Sequence, residues 1–347
     1  MVDESKPINL ALQGGGAHGA FTWGVLDRFL EDERVSIAGI SGTSAGAINA
    51  VAVADGITSG GRETARERMR DFWRTVGAAS RLSPIQRTPV DAFLGRWTLE
   101  CSPAYHAFDE LTRLFSPYQL NPLNLNPLRD LLEASVDFEA VRACTAFELF
   151  VSATDVETGR VRVFPRERLT ADMVMASACL PYLFQAVEID GRPYWDGGYM
   201  GNPVLFPLQC EGLPEDVVVV QVNPIERPGT PRTPQEIRNR INEIGFNSSL
   251  LRELRSVAFV DRLVAEGKLA PEDCRQVRVH LVENETKLRP LGASSKMNGE
   301  WDFLTHLRDV GRATAEAWLD ENFEAIGERS TVDLEALFAD LGAEHHG

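Results

Sequence analysis

Two short apolar runs, each stopped by glycines and each leading into a helix, constrain this chain more than any other feature. "INLAL" (8–12) shows no alternation and ends before Gly14-Gly15-Gly16, and "VSIAGIS" (35–41) ends at Gly42-Thr43-Ser44. Strands buried on both faces read as continuous apolar runs of this kind, whereas strands with one wet face alternate. After the first run, Phe21, Val25, Leu26, Phe29 and Leu30 fall close to helical spacing; after the second, "SAGAINAVAVA" (44–54) is a helix of almost wholly small residues. Strand, glycine turn and helix, repeated, predict a right-handed parallel unit covered by helices, hence an α/β protein.

The rest of the chain fills in around that unit. Residues 62–76 read as a further helix. From 80 to 135 proline, asparagine and large apolar residues mix with weak periodicity, which predicts an irregular cap or binding loop rather than a connector. "FELFVSATDV" (147–156) and "RVRVF" (160–164) read as a strand pair, "LTADMVMASAC" as a helix, and "AVEIDGRPYW" as a hairpin turning at Asp190-Gly191 and emptying into Asp196-Gly197-Gly198. "DVVVVQVN" (216–223) is the most strand-like run and belongs inside the sheet. Residues 1–228 are expected to form the main unit. Residues 229–347 are expected to be mainly helical with one strand near "QVRVHLV", either as a subdomain or as a layer of the same domain.

Composition narrows the function. Lys plus Arg number 35 against 51 Asp plus Glu, a net charge of −16, so phosphate backbones and anionic surfaces should repel the chain and nucleic acid is not an expected partner. No stretch approaches the roughly 20 apolar residues of a membrane span. The start, "MVDESKPINLAL", is acidic where a secretory leader is basic. The five cysteines, Cys101, Cys144, Cys179, Cys210 and Cys274, are widely spaced and form no C-x-x-C pair. Reduced thiols and a cytoplasmic location, with peripheral membrane contact left open, are the expectation. No metal ligand set and no cofactor are predicted.

Three constellations carry chemistry. In "LQGGGAHG" (12–19), Gly14, Gly16 and Gly19 match a nucleotide-binding G-x-G-x-x-G, but that reading wants an acid at the end of the second strand, where Ser41-Gly42-Thr43-Ser44 stands instead. The same glycines could leave amides free for a transient anion, or could simply permit a tight strand-to-helix turn. Gly42-Thr43-Ser44-Ala45-Gly46 is a G-x-S-x-G at a strand-to-helix elbow, a place that projects a serine hydroxyl out of a strained turn. Asp196-Gly197-Gly198, taken alone, reads as a turn acid.

Together the three motifs resemble the patatin-like phospholipases, which pair a G-G-G-x-[K/R]-G loop near the N-terminus with G-x-S-x-G and a downstream D-G-G. The likeness extends through "SATDVETGRVRVF" and "MASACLPYLFQAVEIDGRPYWDGG" and covers about residues 8 to 225. It implies a three-layer patatin-like fold with a mainly parallel central sheet, and lipid acyl-ester hydrolysis of the phospholipase A or lysophospholipase kind. By the same resemblance Ser44 would be the nucleophile, Asp196 the general base and Gly14, Gly15 and Gly16 the oxyanion loop, with Gly42, Gly46, Gly197 and Gly198 supporting the two turns. The loop departs from the family at His18, where Lys or Arg is usual. As a modulator of the loop, His18 would carry that charge only when protonated, which a helix N-terminus disfavours.

Other readings remain open at this level. Ser44, Asp196 and His280 or His306 could formally make a triad in α/β-hydrolase order, although Ser44 follows only two strands and both histidines fall at structural positions; His18 is a further candidate base. A lipid-binding or scaffolding protein that keeps the pocket without turnover, and a hydrolase of other acyl esters, polyester oligomers among them, are the alternatives to a phospholipase. Leu250, Leu254, Val257 and Val260 in 247–264, with Arg252, Arg255 and Arg262 elsewhere, predict either a membrane-facing amphipathic helix or one packed on the body of the protein.

Overall fold

The computed structural model describes residues 5–270 and 274–338; His345, His346 and the end of the 229–347 region lie outside the described residues. Eight strands form one sheet: β1 Lys6–Leu12, β2 Val35–Thr43, β3 Glu148–Asp155, β4 Val161–Pro165, β5 Val187–Ile189, β6 Arg192–Asp196, β7 Asp216–Val220 and β8 Arg278–Val282. The order β5-β6-β3-β2-β1-β7-β8 is parallel from β3 to β8, while β4 and β6 run antiparallel to β3. The turn between β5 and β6 has positive φ at both Asp190 and Gly191, as a tight hairpin requires.

One register positions the site. β3 pairs with β2 as far as Thr43 opposite Ser152, with β6 from Ala153 opposite Asp196, and with β4 across Phe150 to Thr154. A strand has two edges, and β4 overlaps both β2 and β6 along β3. The latter two therefore share the other edge. The C-terminal ends of β2 and β6 meet head to head there, at consecutive residues of β3.

Burial on both faces makes the parallel strands continuous apolar runs. Leu10, Leu12, Val218 and Val220 enter one core with helices α1 Gly19–Glu31, α2 Ala45–Gly60 and α3 Arg62–Ser80, while Ala11, Val217 and Val219 enter a second core on the opposite face. Helices therefore cover both faces of the sheet, which makes three layers.

Four short helices replace the irregular segment expected between 80 and 135: α4 Pro89–Phe93, α5 Pro103–Leu114, α6 Pro117–Leu120 and α7 Pro127–Ser135. Every one of them starts on a proline behind Thr88, Ser102, Ser116 or Asn126. The first helical position has no use for an amide hydrogen, so proline opens a helix as readily as it breaks one. Phe93 and Leu82 are each 90% exposed and Leu123 79%, so this segment leaves large apolar side chains in water.

Beyond residue 135, α8 Phe138–Ala143 and α9 Ala171–Ser177 flank β3 and β4 in the chain, followed by α10 Pro234–Ala265, α11 Glu285–Leu288, α12 Trp301–Asn322 and α13 Leu334–Phe338. β8 extends the central sheet beside β7, and α12 crosses α1 so closely that a Cβ on Gly24 would strike the Arg308 carbonyl. In α10, Leu250, Leu254 and Val257 are buried in the second core. That overturns the membrane-facing reading of 247–264, because the stripe is already spent on the sheet.

Candidate active site

Ser44 is the residue between β2 and α2. Its φ of 53° and ψ of −121° are strained for a side chain with a Cβ, and such strain persists only where the surroundings enforce it. They do so here on three sides. The Ser44 amide donates to Ser177 Oγ at 2.8 Å, its carbonyl accepts from Ile48 N at 3.1 Å, and Gly46 packs so tightly that a Cβ there would collide with the Leu12 carbonyl oxygen. Gly42 is equally close to the first turn of α2, where a Cβ would lie 2.8 Å from the Gly46 oxygen. The small side chains of "SAGAINAVAVA" thus let the helix start directly behind the strand end.

Asp196 ends β6 and is 1% exposed. Its backbone is fixed on both sides: Asp196 N donates to the Cys179 carbonyl at 2.8 Å, and Thr154 Oγ1 donates to the Asp196 carbonyl at 2.8 Å. The side chain accepts from Gly198 N at 2.7 Å, and the nearby Ser44 side chain favours its charged form. Burial pushes the carboxyl up to about 6, while the Gly198 amide, Ser44 and the charge of Lys296 pull the other way without cancelling it. Gly197 and Gly198 leave room for this turn, since side chains there would meet the Ser152 carbonyl and the Phe246 ring. Cys179 and Tyr199 also face the carboxylate, and burial holds both protonated, pushed up to about 12.

The glycine loop lies against the serine: a Cβ built on Gly14 would sit 2.6 Å from the Ser44 Cβ. Its three amides are not equivalent. Gly14 N donates to Asn202 Oδ1 at 2.6 Å and is occupied, whereas the amides of Gly15 and Gly16 reach no acceptor among the described residues and open a short 3-10 turn. Gly16 takes φ 58°, the left-handed region that glycine tolerates. The carbonyl side of the loop is tied down by side chains. Asn223 Nδ2 donates to the Gly14 oxygen at 2.8 Å, and Gln13 Oε1 accepts from the amides of Val222 and Asn223, each at 3.0 Å.

His18 is buried at the end of this loop, with Nε2 2.8 Å from Ser295 Oγ and its ring edge-on to Phe303. Burial, reinforced by the charge of Lys296, pushes its pKa down to about 3, so the imidazole is neutral at ordinary pH. Neither of its nitrogens is bonded to Ser44 or Asp196, since Nε2 pairs with Ser295 and Nδ1 has no hydrogen-bond partner among the described residues. His280 Nε2 is 2.9 Å from Asp216 Oδ1, and His306 stacks on Trp97. Neither partners Asp196, so the formal triads do not assemble.

Reading the sequence alone does not single out Ser177, Asn202, Asn223 or Lys296. Polar residues inside otherwise buried apolar surroundings, such as Gln13 in "LALQGGG" and Ser177 in "MASAC", are the signal that could have found the first of these supports. Lys296 has no such mark. Its Nζ donates to Asn223 Oδ1 at 2.7 Å and Asn242 Oδ1 at 3.1 Å, and lies 5.4 Å from the centre of the Phe246 ring.

Curated protein sequences include no significant match to the chain. Among solved structures, VipD from Legionella pneumophila is similar at 15% identity and a TM-score of 0.35, over 89% of this chain and 67% of that one. The type III effector protein ExoU is similar at 16% identity and a TM-score of 0.37, over 92% of this chain and 54% of that one. This chain thus spans about half the length of ExoU, and likenesses of this level carry no argument about the site. The Patatin-like phospholipase family model matches residues 10–208, a stretch that holds the glycine loop, the elbow and the end of β6; with more than half of its length so matched, the chain belongs to the patatin-like phospholipases.

Proposed function

We propose that the protein hydrolyses carboxylic esters of lipids, glycerophospholipids or lysophospholipids, with Ser44 as nucleophile and Asp196 as general base. Membership of the patatin-like phospholipases supports lipid ester hydrolysis as the reaction class. The observation that supports the finer reading is the head-to-head meeting of β2 and β6 on one edge of β3, which brings the elbow at Ser44 close to the buried carboxylate of Asp196. In the first step Ser44 Oγ bonds to the acyl carbon as its proton passes to Asp196. The carbonyl oxygen becomes an oxyanion held by the free amides of Gly15 and Gly16. Collapse breaks the bond to the alcohol, which leaves with the proton from Asp196. Water repeats the cycle on the acyl-serine, giving the fatty acid and restoring Ser44.

A carboxyl raised to about 6 suits this task, because it is mostly ionised at neutral pH yet basic enough to hold a proton in transit. Ser44→Ala and Asp196→Asn should each lower kcat/KM for a lipid ester by at least about 1,000-fold in folded protein, and a fluorophosphonate should label the native chain at Ser44. Near-native turnover in either variant overturns the assignment. A folded native protein that neither hydrolyses nor labels would point instead to lipid binding without turnover.

The exposed apolar side chains of the cap, Phe93 and Leu123 among them, support a transient contact of this segment with a lipid surface. Phe93→Ser with Leu123→Ser should reduce hydrolysis of phospholipid vesicles several-fold and leave a soluble short-chain ester unaffected. Equal rates on vesicles would remove the cap from that role. The five cysteines, held as thiols, support a cytoplasmic place of action.

A further inference from the structure

Lys296 lies far outside the family match, yet its surroundings join it to both the glycine loop and the Asp196 turn. It sits in a 3-10 segment, Ala293–Met297, whose backbone presses on the glycine loop: a Cβ on Gly16 would meet the Lys296 carbonyl oxygen. Its ammonium holds Asn223 Oδ1, and the same Asn223 amide group donates to the Gly14 oxygen and to Gln13 Oε1. Across Phe246 it reaches the second turn of the site, because that ring packs on Gly198, whose amide binds Asp196. The Phe246 ring is thus the layer between the ammonium and the turn that carries Asp196, and across it the charge of Lys296 weakly favours the ionised carboxylate.

We propose that Lys296 is a positioning residue for acyl transfer: through Asn223 it fixes the glycine loop, and its ammonium supplies a positive charge to a loop, GGGAHG, that has no Lys or Arg of its own. This rests on the hydrolase reading above. A side-chain amide that donates to the Gly14 carbonyl and to Gln13 Oε1 while its own oxygen is held by an ammonium cannot flip, so the loop keeps the Gly14 carbonyl turned toward Asn223. A cation beside a buried carboxylate favours the charged form that accepts the serine proton.

The groups facing this pair separate cleanly by titration range. Lys296 itself is pushed down to about 8 by burial, with Arg227 adding to that effect and Glu243 and Asp196 opposing it. His18, Cys179 and Tyr199, at about 3, 12 and 12, do not change charge between pH 5 and 9. Glu243, paired with Arg227 and Arg240, completes the charged shell. The native kcat/KM should therefore follow a bell with limbs near 6 and near 8, although no histidine takes part.

Three full-length proteins test this. Lys296→Arg, whose charge persists, should keep the acid limb and lose the alkaline one. Lys296→Met, uncharged at every pH, should show a lowered plateau with no alkaline limb and an acid limb moved up, seen as a loss at pH 5 that exceeds its loss at pH 7 severalfold. A merely structural lysine would lower the whole curve without moving its limbs, and that outcome overturns the proposal. A second readout needs no turnover: the Asp196 carboxyl ¹³C resonance should titrate at higher pH in folded Lys296→Met than in the native chain. An unchanged midpoint rejects the charge role even if the protein proves to have no esterase activity. Failure of hydrolysis with a shifted midpoint rejects only the function assigned above.

Discussion

Asp196 and Asp216 are the same residue type and both almost fully buried, Asp196 closing β6 and Asp216 opening β7 of one sheet, yet they are held in opposite ways. Burial pushes both carboxyls up. At Asp216 the hydrogen bonds from His280 and the Gly327 amide, with the charge of Arg278, more than offset it and leave the group below the ordinary range. At Asp196 one backbone amide, the Ser44 hydroxyl and Lys296 offset only part of it, and the carboxyl stays near 6. A carboxylate saturated with donors is locked in its charged form and serves the fold. One left short of donors keeps an appetite for a proton, which is what a general base needs. The histidine that a triad would want is therefore present in the chain but bound to the wrong aspartate.

The largest way to break this contrast is Asp196→Asn. Beyond the loss of activity already expected, the variant should be more stable than the native chain at neutral pH. An acid whose folded pKa exceeds its unfolded value near 3.8 contributes no penalty below that value and a growing one as pH rises to about 6. At pH 7 a carboxyl raised that far carries a penalty on the order of 3 kcal/mol, and an asparagine removes it while its oxygen can still accept from Gly198 N. Urea unfolding at pH 4 and pH 7 would measure this: the difference between variant and native protein should be near zero at pH 4 and favour the variant at pH 7. A variant less stable at pH 7 would mean that Asp196 is a structural acid like Asp216.

Such contrasts explain which parts of the molecule are legible in its sequence. β1, β2 and α2 can be read because each carries its signal locally: a glycine-stopped apolar run, then small residues packed behind Gly42 and Gly46. Ser44 and Asp196 stand out as motifs, but what joins them is the shared edge of β3, and a register between distant strands leaves no trace in local spacing. The four helices between 80 and 135 escape such a reading because a proline suggests a break first, although Thr88-Pro89, Ser102-Pro103, Ser116-Pro117 and Asn126-Pro127 each pair a capping residue with a first-turn proline. Lys296 is invisible for a different reason. A lysine is ordinary on any surface, and only the packing of Ala293–Met297 on the glycine loop makes this one unusual.

The reverse substitution is the smaller test of the contrast. Asp216→Asn leaves His280 and Arg278 beside a neutral amide in the interior, and stability should fall by about 3 kcal/mol, the typical loss when one partner of a buried pair is removed. His280→Gln should cost less, about 1 kcal/mol, because glutamine still offers a donor to the carboxylate and Arg278 and Gly327 N keep theirs. In both variants kcat/KM of the folded enzyme and the position of its acid limb should match the native values within about twofold. The two measurements separate what a melting curve alone would confuse. A tenfold loss of kcat/KM in folded His280→Gln would show that the β7–β8 pair reaches the chemistry after all, and the division between a structural and a reactive aspartate would fail at the histidine that defines it.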